Sequence, residues 1–344
     1  MRCLTAVLAL LLIIPFAACT SDSDESGTDS EPLVIYSGRK SVLVDPLVEQ
    51  FTGATGIAVE VRAGSDAELL AALQEEGNRS PADLFWANTA GVLGAAGEAG
   101  ILAQLPDSIR SKPDGYVPSS GLWAPVTVRF RVMAYDPGRV TPEFLPSTVM
   151  DLPNNDALRG QIGWTPTYSS FQDFITVMRE IHGEEATRTW IEGMKALEPK
   201  AYPSNTPMLE AMMAGEITVG LTNHYYILRV LHGGDEDLSD DPPVATHHFA
   251  TGDTGNLALV TGAGLLNTGS QREKALAFIS YLLTEDAQSF ASETVREYPV
   301  VRSATVPEYL LSFEEAAALG PAFDFERLRN LEGTLDLLRE QGLL

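Results

Sequence analysis

Two adjacent phenols, Tyr225 and Tyr226, close the segment "NHYY" (Asn223–Tyr226). It stands where a β-branched apolar run, Ile217–Thr222, gives out and another apolar stretch, Ile227–Leu231, begins. Side chains of this type have two uses. Tyrosine rings mostly pack or anchor interfaces, with the hydroxyl seeking a polar partner. The same hydroxyls, once deprotonated, are anionic oxygen donors of the kind a hard, highly charged cation prefers. A free phenol titrates near pH ~10 and is protonated at neutral pH, but a bound cation makes the phenolate the stable form. Metal capture there would release protons and weaken in acid. A third phenol, Tyr168 in "TPTYSS" (165–170), precedes a helical pattern. Taken alone it reads as a tyrosine packed at the mouth of a cleft.

The elements around these residues alternate. "PLVIYSG" (32–38), "IAVEVR" (57–62) and "ADLFWAN" (82–88) read as strands, and the stretches 41–56, 65–77 and 90–102 between and after them read as helices. "VTVRFRVMAYD" (126–136) is a long alternating strand, after which the rhythm restarts with "QIGW" (161–164) and a helix over 170–183. "NLALVTGAGLLN" (256–267) predicts another strand, and 270–292 a single amphipathic helix. Strand and helix in turn predict βαβ units on mainly parallel sheets. In such sheets ligands bind beyond the carboxyl ends of the strands. "YSGRK" (36–40), "ANTA" (87–90), "TPTYSS" and "NHYY" all fall there. The 312 residues after Pro32 exceed what one core usually supports, so two lobes meeting at a cleft are expected.

The first 18 residues carry a single charge, Arg2, on an apolar run, the layout of a secretory signal. "FAAC" (16–19) resembles the bacterial lipobox, with Phe16 in place of the usual Leu, and implies a lipid on Cys19. The only other cysteine, Cys3, lies within the removed peptide, so no thiol is left for disulfides or soft metals. Residues 19–32 have the polar, acidic composition of a flexible tether. The formal charge of −24, or −25 once Arg2 leaves with the peptide, repels nucleic acid and anionic lipid. "GGDEDLSDD" (233–241) lacks EF-hand spacing and reads as a solvated loop. No Walker A loop, GxSxG elbow, HExxH or paired CxxC occurs.

In order, "LVIYSGRK", "FTGATGIAVEVR", "SPADLFWANTAGVLGAAGEAGIL", "IGWTPTYSSFQDF", "SNTPMLEAMMAGEITVGLTNHYY", "GNLALVTGAGLL" and "REYPVV" resemble the extracytoplasmic ferric-iron-binding proteins of ABC transporters. The resemblance spans Leu33 to Val301. It implies an α/β, bilobal, type II periplasmic-binding-protein-like fold, two mainly parallel-sheet lobes with a hinge and interlobe cleft. The N-lobe would take 33–130 plus 256–306, and the C-lobe 131–255 plus 307–344. It further implies that Tyr225 and Tyr226 ligate Fe(III), with Tyr168 as the third tyrosine that some branches use. Many relatives carry a His where Lys40 stands and a Glu where Ala87 stands, so both extra ligands are missing. The open positions would then take a synergistic anion, carbonate or phosphate. Ser169 and Ser170 would meet it at a helix start, where free N–H groups and the dipole favour an oxyanion. Asn205 and Asn223 match donor positions, and Arg39 could add a bidentate guanidinium or else form a surface salt bridge.

Adjacent side chains diverge, so His224 is expected to support the site or face solvent. His247 and His248 fall on opposite strand faces and share no metal, while Trp86, Trp123 and Trp164 belong to core or cleft wall. The implied protein is a membrane-anchored, monomeric binding module that is not an enzyme. It would be extracytoplasmic, held by lipidated Cys19, and would pass Fe(III) to an ABC permease and its ATPase. The rivals are an organic-anion binder of the same fold, for a phosphonate or phosphate ester, and an anchored hydrolase. The hydrolase would need a nucleophile that the motifs do not supply.

Overall fold

The alternating patterns are realised in the computed structural model, which describes residues 31–233 and 242–344. Strand β1 (Leu33–Ser37) leads into helix α1 (Ser41–Thr55), β2 (Val59–Ala63) into α2 (Asp66–Glu76), and β3 (Leu84–Ala87) into α3 (Ala90–Glu98). Helix α1 buries Val44, Leu47 and Phe51, the stripe legible in its sequence, and stops at Gly56 in the left-handed conformation, φ 75°. Ser65 caps α2 in a reciprocal exchange with Glu68. A one-turn helix α4 (Asp107–Arg110) precedes β4 (Trp123–Tyr135), which is buried along its whole length.

The second series runs β5 (Ile162–Trp164), α5 (Ser169–His182), α6 (Glu184–Ala196), β6 (Lys200–Ala201), α7 (Asn205–Met213), β7 (Val219–Asn223) and α8 (His224–His232). Short β8 (Ala245–His247) precedes the return strand β9 (Ala258–Leu265). The chain ends through α9 (Arg272–Leu282), α10 (Glu285–Val295), β10 (Tyr298–Pro299), α11 (Phe313–Leu319) and α12 (Leu331–Glu340). The single helix expected over 270–292 is two helices. The Thr284 hydroxyl donates to the Tyr281 carbonyl at 2.7 Å and accepts from the Ala287 N–H, ending one helix and capping the next.

The strands form one sheet in the order β2-β1-β3-β9-β4-β7-β5-β6, with β8 and β10 also on β4. Parallel pairs make up the two wings, β1 with β2 and β3, and β5 with β6 and β7. Between them, β4 and β9 run antiparallel to their neighbours because they carry the chain across the middle. Strand β4 changes partner midway: Trp123–Phe130 pairs with β9, and Arg131–Tyr135 with β7. Trp86, Trp123 and Trp164 are all core residues. The expected signal peptide, Cys19 and the tether up to residue 30 lie outside the described residues, as does the acidic run from 234 to 241.

One buried amide holds this crossing together. The β4–β9 register slips between Pro125 and Thr127, leaving the Val126 carbonyl outside the ladder. The Gln288 amide of α10 donates to Val126 O (2.7 Å) and Leu282 O (2.8 Å), and its oxygen accepts from Val300 N (2.7 Å). Truncation would orphan three buried backbone groups. Gln288→Ala is therefore expected to lose about 2–4 kcal/mol, measured by urea unfolding.

Candidate metal and anion site

A cavity of 710 Å³ opens at the strand ends, lined among others by Arg39, Lys40, Asp66, Asn88, Tyr168, Ser169, Tyr225 and Glu297. Local sequence explains its shape. Gly38 lets the β1–α1 turn approach α2 so closely that a Cβ there would meet Asp66 Oδ1 at 1.8 Å. Helices α1, α3, α5, α7 and α8 begin without a side-chain cap, so their first N–H groups have no such partner.

Three phenols converge at this place: Tyr168 and Tyr225 line the cavity, and Tyr226, which does not line it, reaches Tyr168. Asn223 ends β7 and starts α8, which places Tyr225 and Tyr226 in the first turn of the helix. Their rings stack with centroids 4.2 Å apart and planes at 29°, packed in a cluster with Val132, Met208 and Ile227. The Tyr226 hydroxyl lies 2.9 Å from that of Tyr168, which occupies the residue before α5. Ring packing and oxygen presentation are thus met by the same residues. Burial raises both Tyr225 and Tyr226 well above the usual phenol range. Tyr168 adds to both rises and Tyr225 to that of Tyr226, while Arg129 and a hydrogen bond with Tyr226 pull Tyr225 back only in part.

Arg129 and Arg131, two apart on β4, are almost wholly buried. The Arg129 guanidinium donates to the Asn88 carbonyl, while its Nε and Nη1 have no partner. Burial opposes its charge, but Glu297 and the three phenols outweigh that and raise its pKa. Arg131 lies over the Phe174 ring at 4.9 Å, and burial with repulsion from Arg129 lowers its pKa to about 9. Glu297 sits 2.7 Å from Arg39 and also accepts from Thr127. Burial pushes its carboxyl up, yet Arg39, Arg129 and Thr127 together hold it below the usual range. Asp66 accepts from Asn88 N at 3.0 Å and is raised by burial to about 6. Neither oxygen of Asp173 has a partner, and burial, with Asp66 adding, raises it to about 7 despite Arg129.

Of the residues singled out from sequence, Tyr168, Ser169, Tyr225, Arg39 and Lys40 line the cavity. Arg39 is committed within the protein: Nη2 to Glu297 and Nη1 to Asn88 Oδ1 at 2.7 Å, leaving Nε unpartnered. Its ion pair is buried rather than at the surface. Ser170, Asn205 and Asn223 are fully buried and do not line the cavity. The Ser170 hydroxyl, the Asn205 amide nitrogen and both polar atoms of Asn223 have no partner. His224 is a support: Nδ1 accepts from Phe130 N (3.1 Å) and Nε2 donates to Arg296 O (2.8 Å). Burial lowers its pKa to about 4, so the ring is neutral. His247 Nε2 meets the Pro146 carbonyl at 2.9 Å. Arg129, Arg131, Asp66, Asp173 and Glu297 went unremarked in the sequence, although two arginines in alternation on an apolar strand are a readable signal. Among the described residues no group of three or more His, Cys, Asp or Glu could hold a metal.

Parallel wings joined by crossing strands, with a polar cleft at the strand ends, define a solute-binding protein of the type II periplasmic-binding fold. The chain belongs to the bacterial extracellular solute-binding protein family, whose profile matches residues 33–294. It is 28% identical to the "Fe(3+)-binding periplasmic protein" of Serratia marcescens over 98% of this chain and 97% of that one. Iron-bound HitA from Pseudomonas aeruginosa superposes with a TM-score of 0.84 at 28% identity, over 91% of this chain and 99% of that one. The Trichodesmium protein (IdiA, FutA) in complex with iron and citrate gives 0.76 at 26%, over 91% and 100%.

The raised carboxyls carry a pH signature. A carboxyl whose pKa rises on folding binds protons that the unfolded chain releases, so its stabilisation is full below about pH 4 and is lost as pH rises through the folded value. For Asp173 that window ends near pH 7. His224, lowered to about 4, acts in the opposite sense below its ordinary value of 6.5. The clean readout is a difference between two proteins. Asp173→Asn should raise the Tm relative to the parent at pH 8, and the gain should shrink steadily toward pH 5.

Proposed function

We propose that the protein captures Fe(III) through Tyr225 and Tyr226, with Tyr168 as a third donor, together with a synergistic anion. The observation that carries this reading is a cluster of three phenols, two of them lining the cleft, with the hydroxyls of Tyr168 and Tyr226 2.9 Å apart. A hard trivalent ion favours such donors, and it would reverse the protonation that burial otherwise enforces. Lys40 and Ala87 stand where relatives' His and Glu ligands are expected, so coordination positions remain for an anion. Unpartnered buried donors on Arg39, Arg129, Arg131, Ser170, Asn205 and Asn223 favour an oxyanion such as carbonate or phosphate. Ser169, at the start of α5, would add a helix N-terminus. The iron in the names of the Serratia and Pseudomonas proteins, and the citrate in the Trichodesmium complex, support this reading.

In this reading the protein is a binding module rather than an enzyme. It closes about the partner switch in β4 and delivers iron to an ABC permease and its ATPase. The lobes would be 33–130 plus 256–306 and 131–255 plus 307–344, which divides the sheet between Phe130 and Arg131. Residues Pro32–Leu344 pack as one compact unit, so that division falls within one body. Lipidated Cys19 would anchor a monomer outside the cytoplasmic membrane.

Protein purified without chelators should contain iron and show a visible tyrosinate-to-iron charge-transfer band. Tyr225→Phe and Tyr226→Phe should each cost more than the roughly 10–100-fold that outer-shell changes cost. Colourless protein that binds a phosphonate tightly would overturn the reading. Iron uptake should also release protons. With three phenols ionising, log affinity should rise by about three per pH unit around neutrality, measured by titration in weak buffer.

A further inference from the structure

We infer that the C-terminal segment from Phe325 to Glu340 is a clasp: it rides with the second wing and grips helix α3 of the first. This rests on the wing rotation proposed above and names a contact that such a rotation must undo. The segment is a 3₁₀ turn, Phe325–Arg329, followed by α12.

Its attachment to the second wing is polar and repeated along the chain. The buried Thr334 hydroxyl lies 2.7 Å from that of Thr176 on α5 and accepts from the Arg179 guanidinium at 2.9 Å. Arg327 pairs with Glu180 at 2.6 Å, and Arg188 of α6 pairs with Glu340 at 2.9 Å. Just past α12, the Gln341 carbonyl accepts from Lys195 at 2.7 Å. The segment is thereby tied to α5 and α6 from one end to the other.

The joint to the first wing is of another kind. A Cβ on Gly94 of α3 would stand 3.2 Å from both Cα and Cβ of Arg329. One on Gly91 would stand 3.5 Å from the Leu328 carbonyl and 2.3 Å from Asp173 Oδ1 of α5. Glycine inside a helix costs about 1 kcal/mol relative to alanine. Helix α3 carries it at two positions that meet the second wing. Where Gly94 meets Arg329, helix backbone lies against chain backbone, and such surfaces can slide or part without repacking side chains. Among the described residues, the ion pair linking the segment to α3 is Arg329 with Glu98, at 3.6 Å and largely exposed, so it holds weakly. A part fixed on one side and smooth on the other moves with the fixed side.

The grip also borders the site. Leu331 and Leu335 of α12 line the cavity together with Leu70 of α2 and Val92 of α3. Movement of the segment against α3 therefore changes the width of the cavity. A ligand that favours one width works with or against the grip, so this contact biases the balance between wing arrangements.

The test uses the mature chain carrying Cys19→Ser. Gly94→Cys with Arg329→Cys would set two Cβ atoms 3.2 Å apart, a few tenths of an ångström under the roughly 3.5–4.5 Å that a disulfide spans. Adding iron with bicarbonate should change the X-ray scattering radius of the parent and leave that of the oxidised double variant unchanged. A second measurement needs no disulfide. Spin labels go on exposed sites, Glu75→Cys of α2 or Glu210→Cys of α7, each paired with Asp336→Cys of α12. Gallium(III), a diamagnetic hard ion, then replaces iron. The 75–336 distance should shift and the 210–336 distance should stay. A shift between 210 and 336, or an oxidised variant that changes as the parent does, overturns the clasp and leaves the iron reading standing. A constant radius and constant distances while the visible band forms overturn the clasp and the rotation together. With no band as well, the iron reading falls too.

Discussion

Arg129 carries a positive charge that water cannot reach, and the cleft floor is organised around it. Burial alone would strip a guanidinium of its advantage in holding a proton, but the Glu297 carboxylate restores it. The same charge helps keep Glu297 ionised, and Glu297 in turn fixes Arg39. An isolated trivalent ion at the proposed phenols would be repelled by this guanidinium, and an isolated anion would be repelled by ionised phenols. Placed together they relieve both terms. Metal and anion are therefore expected to bind as a unit because each supplies the charge that the other's neighbours require.

That charge also sits at the mechanical centre. Arg129 is the last arginine of the segment of β4 paired with β9, where its register partner is Leu259. Arg131 opens the segment paired with β7, opposite Asn223, two residues before Tyr225. Alternation puts both guanidinium groups on one face of the strand, across the point where partners change. A rotation about that point would move Asn223 and the tyrosines with one wing, while Asn88, held to Arg129 and Arg39, stays with the other. In the proposed reading the pivot and the ligand floor would be the same few residues, a direct route from ligand binding to closure.

The βα rhythm, the apolar face of α1 and the capped start of α2 were legible because each depends on spacing within one segment. The tyrosine pair stood out because few residue types offer a hard cation an anionic oxygen, and the strand end before it agrees with its place in the first turn of α8. What escaped depends on distant partners. Asp66 reads locally as an acidic residue in the first turn of a helix, and only the fold brings Asn88 to it. Asp173 reads as the polar face of an amphipathic helix, yet α3 lies against that face, with Gly91 close enough that a Cβ would meet Asp173 Oδ1 at 2.3 Å. Glu297 is separated from Arg39 by 258 residues, and no local pattern couples them. The break at Thr284 was hidden because apolar spacing continues through it.

The acidity of the whole chain and the basicity of its floor act over different distances. At physiological ionic strength, fields fade within about 8 Å, so an approaching solute first meets the surface of a chain in which acids outnumber bases 47 to 23 overall. That surface draws cations and turns anions away. At and beneath the cleft, Arg39 and Arg129 face the ionised Glu297, while burial raises the carboxyls of Asp66 and Asp173. Low dielectric strengthens what remains. A free anion is disfavoured before it reaches the floor, and a bare cation is disfavoured once there. In the proposed reading a compact complex whose anionic charge is largely masked by its metal would pass both stages, and this ordering would select the pair over either member alone.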